Sequence, residues 1–162
     1  MDFDFNLPLG NIRKKYGSSF AVIFTPDAQY LLQHRDDDPT IWFPNYWGLF
    51  GGAREPNETL IDTLRREIKE EISFEINEMS YFIELAADLI NIGGRVHHAA
   101  YFEVPIEEHD VDKLILNEGA GMRLFTPEEI EQEANIHPVD QLALTCHFRR
   151  DHFVPVQAPI RN

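Results

Sequence analysis

The segment that most restricts the fold runs from Thr59 to Ile72, where apolar residues recur at helical spacing. Thr59, followed three residues later by Asp62, is the pattern of a capping box, which satisfies free backbone N–H groups at a helix start. The apolar positions form one stripe on such a helix: Ile61, Leu64, Ile68 and Ile72. Because an apolar stripe must be buried against another layer, the segment predicts a helix that packs on the rest of the fold.

Three carboxylates lie beside this stripe. At about 100° per residue, Glu67, Glu70 and Glu71 fall on one helix face, at the edge of its buried side. Carboxylates so close together repel one another, and a hard divalent cation that takes oxygen ligands relieves the repulsion. The pattern therefore indicates a magnesium or manganese site whose carboxylates are exposed to a cleft. A Glu-rich helix segment by itself is more often only a solvated face.

Two glycines come before the helix. Gly51 and Gly52 permit backbone angles that side chains disfavour, and they let a ligand approach the main chain closely. The loop over residues 53–57 then leads to Glu58, which we expect near the helix start.

The remaining chain predicts a mixture of strands and helices. Strands are expected at 18–24, 30–34, 46–50, 80–90, 95–106 and 122–125, and further helices at 127–134 and 138–148. The two longest strands are expected to be joined by a turn at 91–94. This order predicts the α+β class, or α/β with a mixed sheet. The length predicts a single domain over residues 1–162, with 1–17 as a peripheral N-terminal segment.

The chain is strongly acidic. Lys and Arg total 14 against 28 Asp and Glu, which gives a formal charge of −14. A surface of this sign repels phosphate backbones, so we expect no nucleic-acid polymer as a partner. A small anionic substrate would need a bound cation to reverse the local field, which again indicates a metal.

Only a few features of the sequence indicate where the protein is located in the cell and whether it forms oligomers. The one cysteine, Cys146, excludes an internal disulfide and a CxxC zinc site. The N-terminus carries Asp2 and Asp4 instead of the apolar core of a signal peptide, and no apolar run is long enough to span a bilayer. We therefore expect a cytoplasmic protein with no membrane partner, and a homodimer is left open.

The stretch from Gly52 to Phe74 resembles the Nudix box, the signature of the Nudix hydrolase family. The shared spacing is a Gly, five residues, Glu58, seven residues, and then Arg66-Glu67 followed by Glu70-Glu71. Six positions fixed in Gly, Glu and Arg make this resemblance highly specific, although the box covers only a small part of the chain.

The sequence differs from the family pattern at one position within the box and at one position just before it. Ser73 stands where the family has Gly, and Phe50 stands where a Pro often precedes the glycines. Helices commonly end in a left-handed residue, for which Gly carries no steric penalty. We expect Ser73 either to adopt that conformation with mild strain or to end the helix through a hydroxyl hydrogen bond. Neither residue supplies a metal-binding side chain.

The resemblance implies a fold and a reaction. The fold is an α/β/α sandwich with a mixed sheet between helices, and the reaction is hydrolysis of a diphosphate linkage by water. The implied metal is Mg²⁺, with Mn²⁺ as the alternative. Its implied ligands are the side chains of Glu67, Glu70 and Glu71 and the backbone carbonyl of Gly51. Glu67 also counts among the catalytic candidates.

A second match lies further along the chain. Glu118, followed by Gly119, resembles the Glu-Gly loop of the mutator-type (MutT-like) triphosphatases, in which the Glu is an extra metal ligand or a base. The resemblance makes Glu71 or Glu118 the group that takes the proton from the attacking water. Glu58 would support the metal cluster, and Arg66 is expected to pair with a carboxylate such as Glu58 instead of the substrate. The plain alternative for Glu118 is an exposed turn.

The substrate remains open at this level. The accessory residues of the ADP-ribose, diadenosine polyphosphate, coenzyme A and NADH subfamilies are not found in this sequence. A (deoxy)nucleoside triphosphate is favoured, and an NDP-sugar is the alternative. Two rival classes are an inactive Nudix domain that binds a nucleotide or protein as a regulator, and an isopentenyl diphosphate isomerase-like enzyme.

Several aromatic side chains are candidates for contact with the substrate. His97 and His98 are neighbours on a strand and therefore face opposite sides, and one of them could reach the cleft. Packing or surface roles are the expectation for both. One of Trp42, Phe43, Tyr46 and Trp47 could stack on a base, although Trp47 is expected in the core.

Overall fold

A computed structural model describes residues 17–88 and 96–152. The strands are β1 (Gly17–Phe24), β2 (Tyr30–His34), β3 (Trp47–Gly48), β4 (Phe50–Ala53), β5 (Ser80–Asp88), β6 (Val96–Pro105) and β7 (Gly121–Phe125). The helices are α1 (Leu60–Ile72), α2 (Glu108–Val111), α3 (Pro127–Gln132) and α4 (Pro138–Phe148), followed by a 3-10 turn at Arg150–His152. The turn predicted at 91–94 lies outside the described residues, as does the predicted N-terminal segment except for Gly17, which begins β1.

The strands form one mixed sheet. The order along it is β3-β2-β1-β6-β5, with β4 paired to β1 and β7 paired to β2. β1 and β6 run parallel over their whole paired length, from Gly17 opposite His98 to Phe24 opposite Pro105. The other pairings are antiparallel. The α+β class with a mixed sheet, predicted from the order of elements, is confirmed.

Side chains leave the two faces of the sheet alternately, and each face carries its own core. In β1, Ala21 and Ile23 pack toward α1, whereas Val22 packs toward α4. The core under α1 includes the predicted stripe residues Leu64, Ile68 and Ile72. The core under α4 includes Leu32, Tyr101, Phe125, Ile130 and Leu144. Helices on both faces of the sheet make the α/β/α sandwich that the family resemblance implies.

Two local predictions need correction. The strand expected at 46–50 is two short strands, because β3 pairs with β2 while β4 pairs with β1. Between them, the backbone N–H of Leu49 donates to the buried carboxylate of Asp140 at 3.0 Å instead of to a strand. The short helix α2 was not predicted, since it buries none of its residues and therefore has no apolar periodicity.

Hydrogen bonds from side chains stabilise both ends of α1. At the start, Thr59 and Asp62 form the predicted capping box. At the end, Ser73 is left-handed, with φ 53° and ψ 30°, and its N–H donates to the carbonyl of Lys69 at 3.0 Å. The amide of Asn117 donates to the Ser73 hydroxyl and to the carbonyl of Glu70, each at 2.9 Å. The two predicted outcomes for Ser73 therefore occur together, strain and a hydroxyl hydrogen bond, but the partner is a side chain.

In the part of the chain that the structure describes, no helix has both the length and the apolar character needed to cross a membrane.

Substitutions at Ser73 separate its strain from its hydrogen bond. Ser73→Gly removes a left-handed side chain, worth roughly 1 kcal/mol, but also loses the Asn117 contact. We expect Ser73→Gly to raise the free energy of unfolding by roughly 0.5 kcal/mol. Ser73→Ala keeps the strain and loses the contact, so it should lower that free energy by a similar amount. Urea denaturation measures both, and a Gly variant less stable than the Ala variant would contradict the account.

Candidate active site

The glycine pair of β4 lies against β1 and under α1. Gly51 pairs with Phe20 and Gly52 with Ser19, and the Ser19 hydroxyl donates to the carbonyl of Leu60 at 2.6 Å. Gly51 has φ 133°, and a Cβ added there would lie 2.1 Å from the Ser19 carbonyl oxygen. A Cβ on Gly52 would lie 2.6 Å from the carboxylate of Glu67. The first glycine is thus required by the backbone, and the second leaves room for a carboxylate.

Glu71 is buried against this backbone. Its side chain comes from the last turn of α1, the residue is only 7% exposed, and its Oε2 accepts from the Gly51 N–H at 2.8 Å. Burial raises the pKa of Glu71 to about 8, opposed by the Gly51 N–H and reinforced by the charges of Glu67 and Glu118. The expectation that all three helix carboxylates are exposed to the cleft is therefore wrong for Glu71.

Arg66 neutralises the carboxylates on the outer side of the site. Its Nε and Nη2 donate to the two carboxylate oxygens of Glu58 at 2.7 and 3.1 Å, as a bidentate pair. Its Nη1 donates to Glu67 at 2.9 Å and to Glu70 at 3.1 Å. The hydrogen bond from Arg66 lowers the pKa of Glu58 to about 2, whereas burial raises the pKa of Glu67.

Glu118 is brought beside α1 by the loop that precedes β7. Its backbone carbonyl accepts from the Gln33 side chain at 3.0 Å, and the next residue, Gly119, has φ 91° close against β2. Asn117, which also clamps the end of α1, precedes it. The side chain of Glu118 is exposed, and its charge raises the pKa of both Glu67 and Glu71. The loop therefore adds Glu118 to the three helix carboxylates. The four residues form what we call the acidic cluster: Glu67, Glu70, Glu71 and Glu118.

The donor set suits a hard divalent cation. Glu71 is a buried carboxyl whose pKa is raised partly by two neighbouring carboxylates, and every side-chain donor of the cluster is an oxygen. Within residues 17–88 and 96–152, no three acidic, His or Cys side chains converge closely enough to hold an ion as they stand. Arg66 explains this arrangement, because it draws Glu67 and Glu70 toward its own guanidinium.

A cavity of about 430 Å³ opens beside the glycine pair. Its outer wall carries three rings: Trp42 lies 5.0 Å from His137 and 5.9 Å from His97, and His97 lies 5.7 Å from His137, between ring centroids. The lining also includes Ser18, Phe20, Arg35, Gly51, Gly52, Arg54, His98 and Asp140. The cavity thus joins the glycine pair, against which Glu67 and Glu71 lie, to an aromatic wall.

A buried polar network supports the aromatic wall. The Tyr101 hydroxyl donates to Asp140 at 3.2 Å and lies 3.1 Å from Nε2 of His97. Because the hydroxyl proton goes to Asp140, the hydroxyl oxygen accepts from His97, which fixes the proton of that imidazole on Nε2. The network orients His97 in the cavity wall.

The sequence predicted the carboxylates of the site but only some of the residues that line the cavity. His97 and His98 are both buried and do face opposite sides of β6, with His98 bonded to Glu84 at 2.7 Å. Both reach the cavity lining as well as packing inside the protein. Arg35, His137 and Asp140 were missed, because they come from segments that no motif connects. Trp47, which was expected in the core, is partly buried and packs against the core residue Phe125, at 4.9 Å between ring centroids.

A carboxylate-bearing helix that follows a glycine pair, on a mixed sheet between helices, is the arrangement of a Nudix domain. Residues 15–155 match the family model described as NUDIX domain. The chain therefore belongs to the Nudix domain family.

Relatives of known sequence match mainly over a short segment. A stretch of 46 residues is 50% identical to nucleoside triphosphatase NudI of Escherichia fergusonii and 48% identical to that of Escherichia coli O9:H4. The match covers 28% of this chain and 32% of either relative. The chain thus matches about a third of the length of these relatives.

Solved structures match over most of the chain. The MutT protein of Methanosarcina mazei Go1 gives a TM-score of 0.70 at 18% identity, over 86% of this chain and 96% of that one. The NUDIX domain of Shewanella oneidensis NrtR, complexed with ADP ribose, gives a TM-score of 0.66 at 17% identity, over 91% and 95%. At such identities the likeness shows a shared fold.

The raised pKa of Glu71 predicts how stability depends on pH. In the folded, metal-free protein this carboxyl keeps its proton up to about pH 8, whereas the unfolded chain releases it near 4.5. The folded state therefore binds more protons within that window, and this group makes the free energy of unfolding fall as pH rises through it. Glu71→Gln cannot ionise. We expect the variant to match the wild type near pH 4 and to exceed it at pH 8 by on the order of a few kcal/mol.

Urea denaturation in excess chelator, repeated between pH 4 and pH 8, measures this difference. The matched control is Glu128→Gln, which neutralises an exposed carboxyl on α3 and should give no such pH-dependent gain. Parallel pH profiles for Glu71→Gln and the wild type would show that burial does not hold the proton on Glu71.

Proposed function

We propose that this protein hydrolyses a diphosphate linkage in a small nucleotide-type substrate, with Mg²⁺ as the cofactor and Mn²⁺ as a substitute. The observation that carries the proposal is the buried carboxyl of Glu71, which lies near other carboxylates and against Gly51, a residue that lines a cavity with an aromatic wall. A binding module gains nothing from burying a carboxyl beside other carboxylates, whereas a metal-dependent hydrolase requires the negative charge that this carboxyl gains when a cation replaces its proton.

The residues of α1 would hold the metal. We assign the side chains of Glu67, Glu70 and Glu71 and the backbone carbonyl of Gly51 as its ligands. When bound, Mg²⁺ neutralises phosphate oxygens and lowers the pKa of water. Arg66 is the counter-charge of Glu67 and Glu70 in the metal-free protein, and its bidentate pair with Glu58 keeps it beside the cluster. Glu58 and Arg66 thus support the site without contacting substrate.

Two carboxylates are candidates for the base that takes the proton from the attacking water. Glu71 is buried and one of its oxygens already accepts from the Gly51 N–H, so it is better suited to hold metal. Glu118 is exposed at the mouth of the cluster on a backbone fixed by Gln33, so water reaches it directly. We therefore favour Glu118 as the base, with Glu71 as the alternative.

The cavity favours a nucleotide. Its volume of about 430 Å³ is in the range of small-molecule sites, and the rings of Trp42, His97 and His137 can pack on a planar base. The similarity to a nucleoside triphosphatase favours a (deoxy)nucleoside triphosphate. An NDP-sugar is the second candidate, because a NUDIX domain of the same fold binds ADP ribose.

A substrate panel tests the reaction itself. We expect purified protein with Mg²⁺ to convert at least one (deoxy)nucleoside triphosphate to the monophosphate and pyrophosphate, or one NDP-sugar to the monophosphate and sugar phosphate. Chromatography of nucleotide products measures this, with excess chelator as the control. Binding of these compounds without turnover would instead indicate an inactive, nucleotide-binding Nudix domain.

Conservative substitutions test the two carboxylates separately. Glu118→Gln keeps the size of the side chain but cannot accept the proton, so we expect kcat to fall about 100-fold or more with little change in Tm. Glu71→Gln should lower activity at least as much, and should also raise the Mg²⁺ concentration needed for half-maximal rate. Glu118→Gln with activity within a few-fold of wild type would leave Glu71 as the base. Full activity in Glu71→Gln would contradict the proposed site.

A further inference from the structure

The last turn of α1 is completed by a segment from elsewhere in the chain. A helix leaves its last four carbonyl groups without partners inside the helix. In α1 the first of these, from Lys69, accepts from the Ser73 N–H at 3.0 Å. The other three accept from the segment 115–117: Glu71 from the Asn117 N–H at 2.7 Å, Glu70 from the Asn117 side-chain amide at 2.9 Å, and Ile72 from the Ile115 N–H at 3.2 Å.

Asn117 supplies most of this connection. Its backbone and its side chain bond two successive carbonyls of the helix, and its side-chain amide also donates to the Ser73 hydroxyl at 2.9 Å. An asparagine amide has two N–H donors, so both side-chain bonds can form at once. An aspartate would offer only acceptors to these oxygens, and an alanine would offer nothing. The contacts therefore depend on the side-chain amide and not only on the path of the backbone.

The residue that follows Asn117 is Glu118, whose backbone is held from two sides. On one side lies the bonded end of α1. On the other, the Glu118 carbonyl accepts from the Gln33 side chain at 3.0 Å, and the Ala120 N–H donates to the His34 carbonyl at 2.8 Å. The carboxylate itself is exposed, so its position is set by the backbone that α1 and β2 hold in place.

We propose that Asn117 is a positioning residue that holds the Glu118 carboxylate beside the carboxylates at the end of α1. The inference rests on the proposed function, in which Glu118 takes the proton from the attacking water. A base must lie within hydrogen-bond reach of that proton, and a displacement of about 1 Å can cost on the order of 100-fold in rate. Because Asn117 bonds the carbonyls of Glu70 and Glu71, it joins the base to the helical turn that bears two of the proposed metal ligands.

The alternative is that Asn117 only stabilises the end of the helix. Its loss would then lower Tm and leave the activity of the folded protein unchanged. A positioning role differs in its effect on the chemical step. A displaced Glu118 lowers kcat, while the carboxylates of α1 and the cavity still bind metal and substrate.

The kinetic test uses the substrate that the wild type hydrolyses fastest in the panel. We expect Asn117→Ala to lower kcat about tenfold or more, with KM and the Mg²⁺ concentration for half-maximal rate within about twofold of the wild type. In the Glu118→Gln background the same substitution should cause no further loss, because no base remains to be displaced. An unchanged kcat, or a loss that multiplies with that of Glu118→Gln, would overturn the proposal.

Thr126→Ala is the matched control for stability. It removes the N-cap of α3, where the Thr126 hydroxyl accepts from the Glu129 N–H at 3.2 Å, outside the acidic cluster and the cavity lining. Thr126→Ala and Asn117→Ala should each lower Tm by roughly 2–4 °C, but the control should keep the kcat of the wild type. An equal loss of kcat in the control would attribute the effect to stability and overturn the proposal.

Ser73→Ala serves if Asn117→Ala does not fold. It removes one of the two acceptors of the Asn117 side chain and keeps the bond to the Glu70 carbonyl. We expect it to lower kcat by a smaller factor than Asn117→Ala, again without effect in the Glu118→Gln background. A loss of kcat that persists in that background would overturn the proposal.

A measurement without metal or substrate tests the connection itself. Amide hydrogen exchange in excess chelator, followed by mass spectrometry, reports on residues 112–120, where Ile115 and Asn117 donate their N–H groups to the helix. We expect Asn117→Ala to speed this exchange severalfold and Thr126→Ala to leave it unchanged. Unchanged exchange in Asn117→Ala would overturn the proposal. If the wild type hydrolyses no substrate, the proposed function fails, and the exchange still decides whether Asn117 orders the loop of Glu118.

Discussion

The hydrogen bond from the Gly51 N–H to the Glu71 carboxyl joins two segments that are 20 positions apart in the chain. It forms because Gly51 adopts a backbone angle that a side chain would obstruct, with the Ser19 carbonyl only 2.1 Å from where a Cβ would lie. The bond and the packing of α1 on β4 bury a carboxyl beside other carboxylates. The site thereby holds a group that must keep a proton or gain a cation, and this electrostatic requirement underlies the chemistry proposed for it.

The contacts around Glu71 confine this electrostatic requirement to the buried side of the site. Arg66 binds the outer carboxylates and its bidentate partner Glu58, so negative charge is balanced on the exposed side, whereas the buried carboxyl of Glu71 keeps its proton in the metal-free protein. On the other side, Asn117 bonds the end of α1 and immediately precedes Glu118. The left-handed Ser73, which departs from the family pattern, is part of this connection because its hydroxyl accepts from Asn117.

Another part of the cavity wall is aromatic. The rings of Trp42, His97 and His137 lie close together, and the network from Tyr101 to Asp140 fixes the orientation of His97. The cavity therefore has the glycine pair, which adjoins the carboxylates, on one side and rings on another.

The sequence by itself determined the features that depend on near neighbours. Apolar residues every three or four positions defined α1, Thr59 and Asp62 defined its start, and the carboxylate spacing defined one acidic face, because all are set by helix geometry within a few residues. Tertiary structure alone decided that Glu71 is buried while Glu70 remains exposed, since that depends on where β4 passes α1. It also brought Arg35, His97, His137 and Asp140 to one cavity from the end of β2, from β6 and from the start of α4. No local pattern records such an approach, because it is fixed by the pairing of β6 with β1 and by the packing of a helix, α4, on the sheet, and not by spacing along the chain.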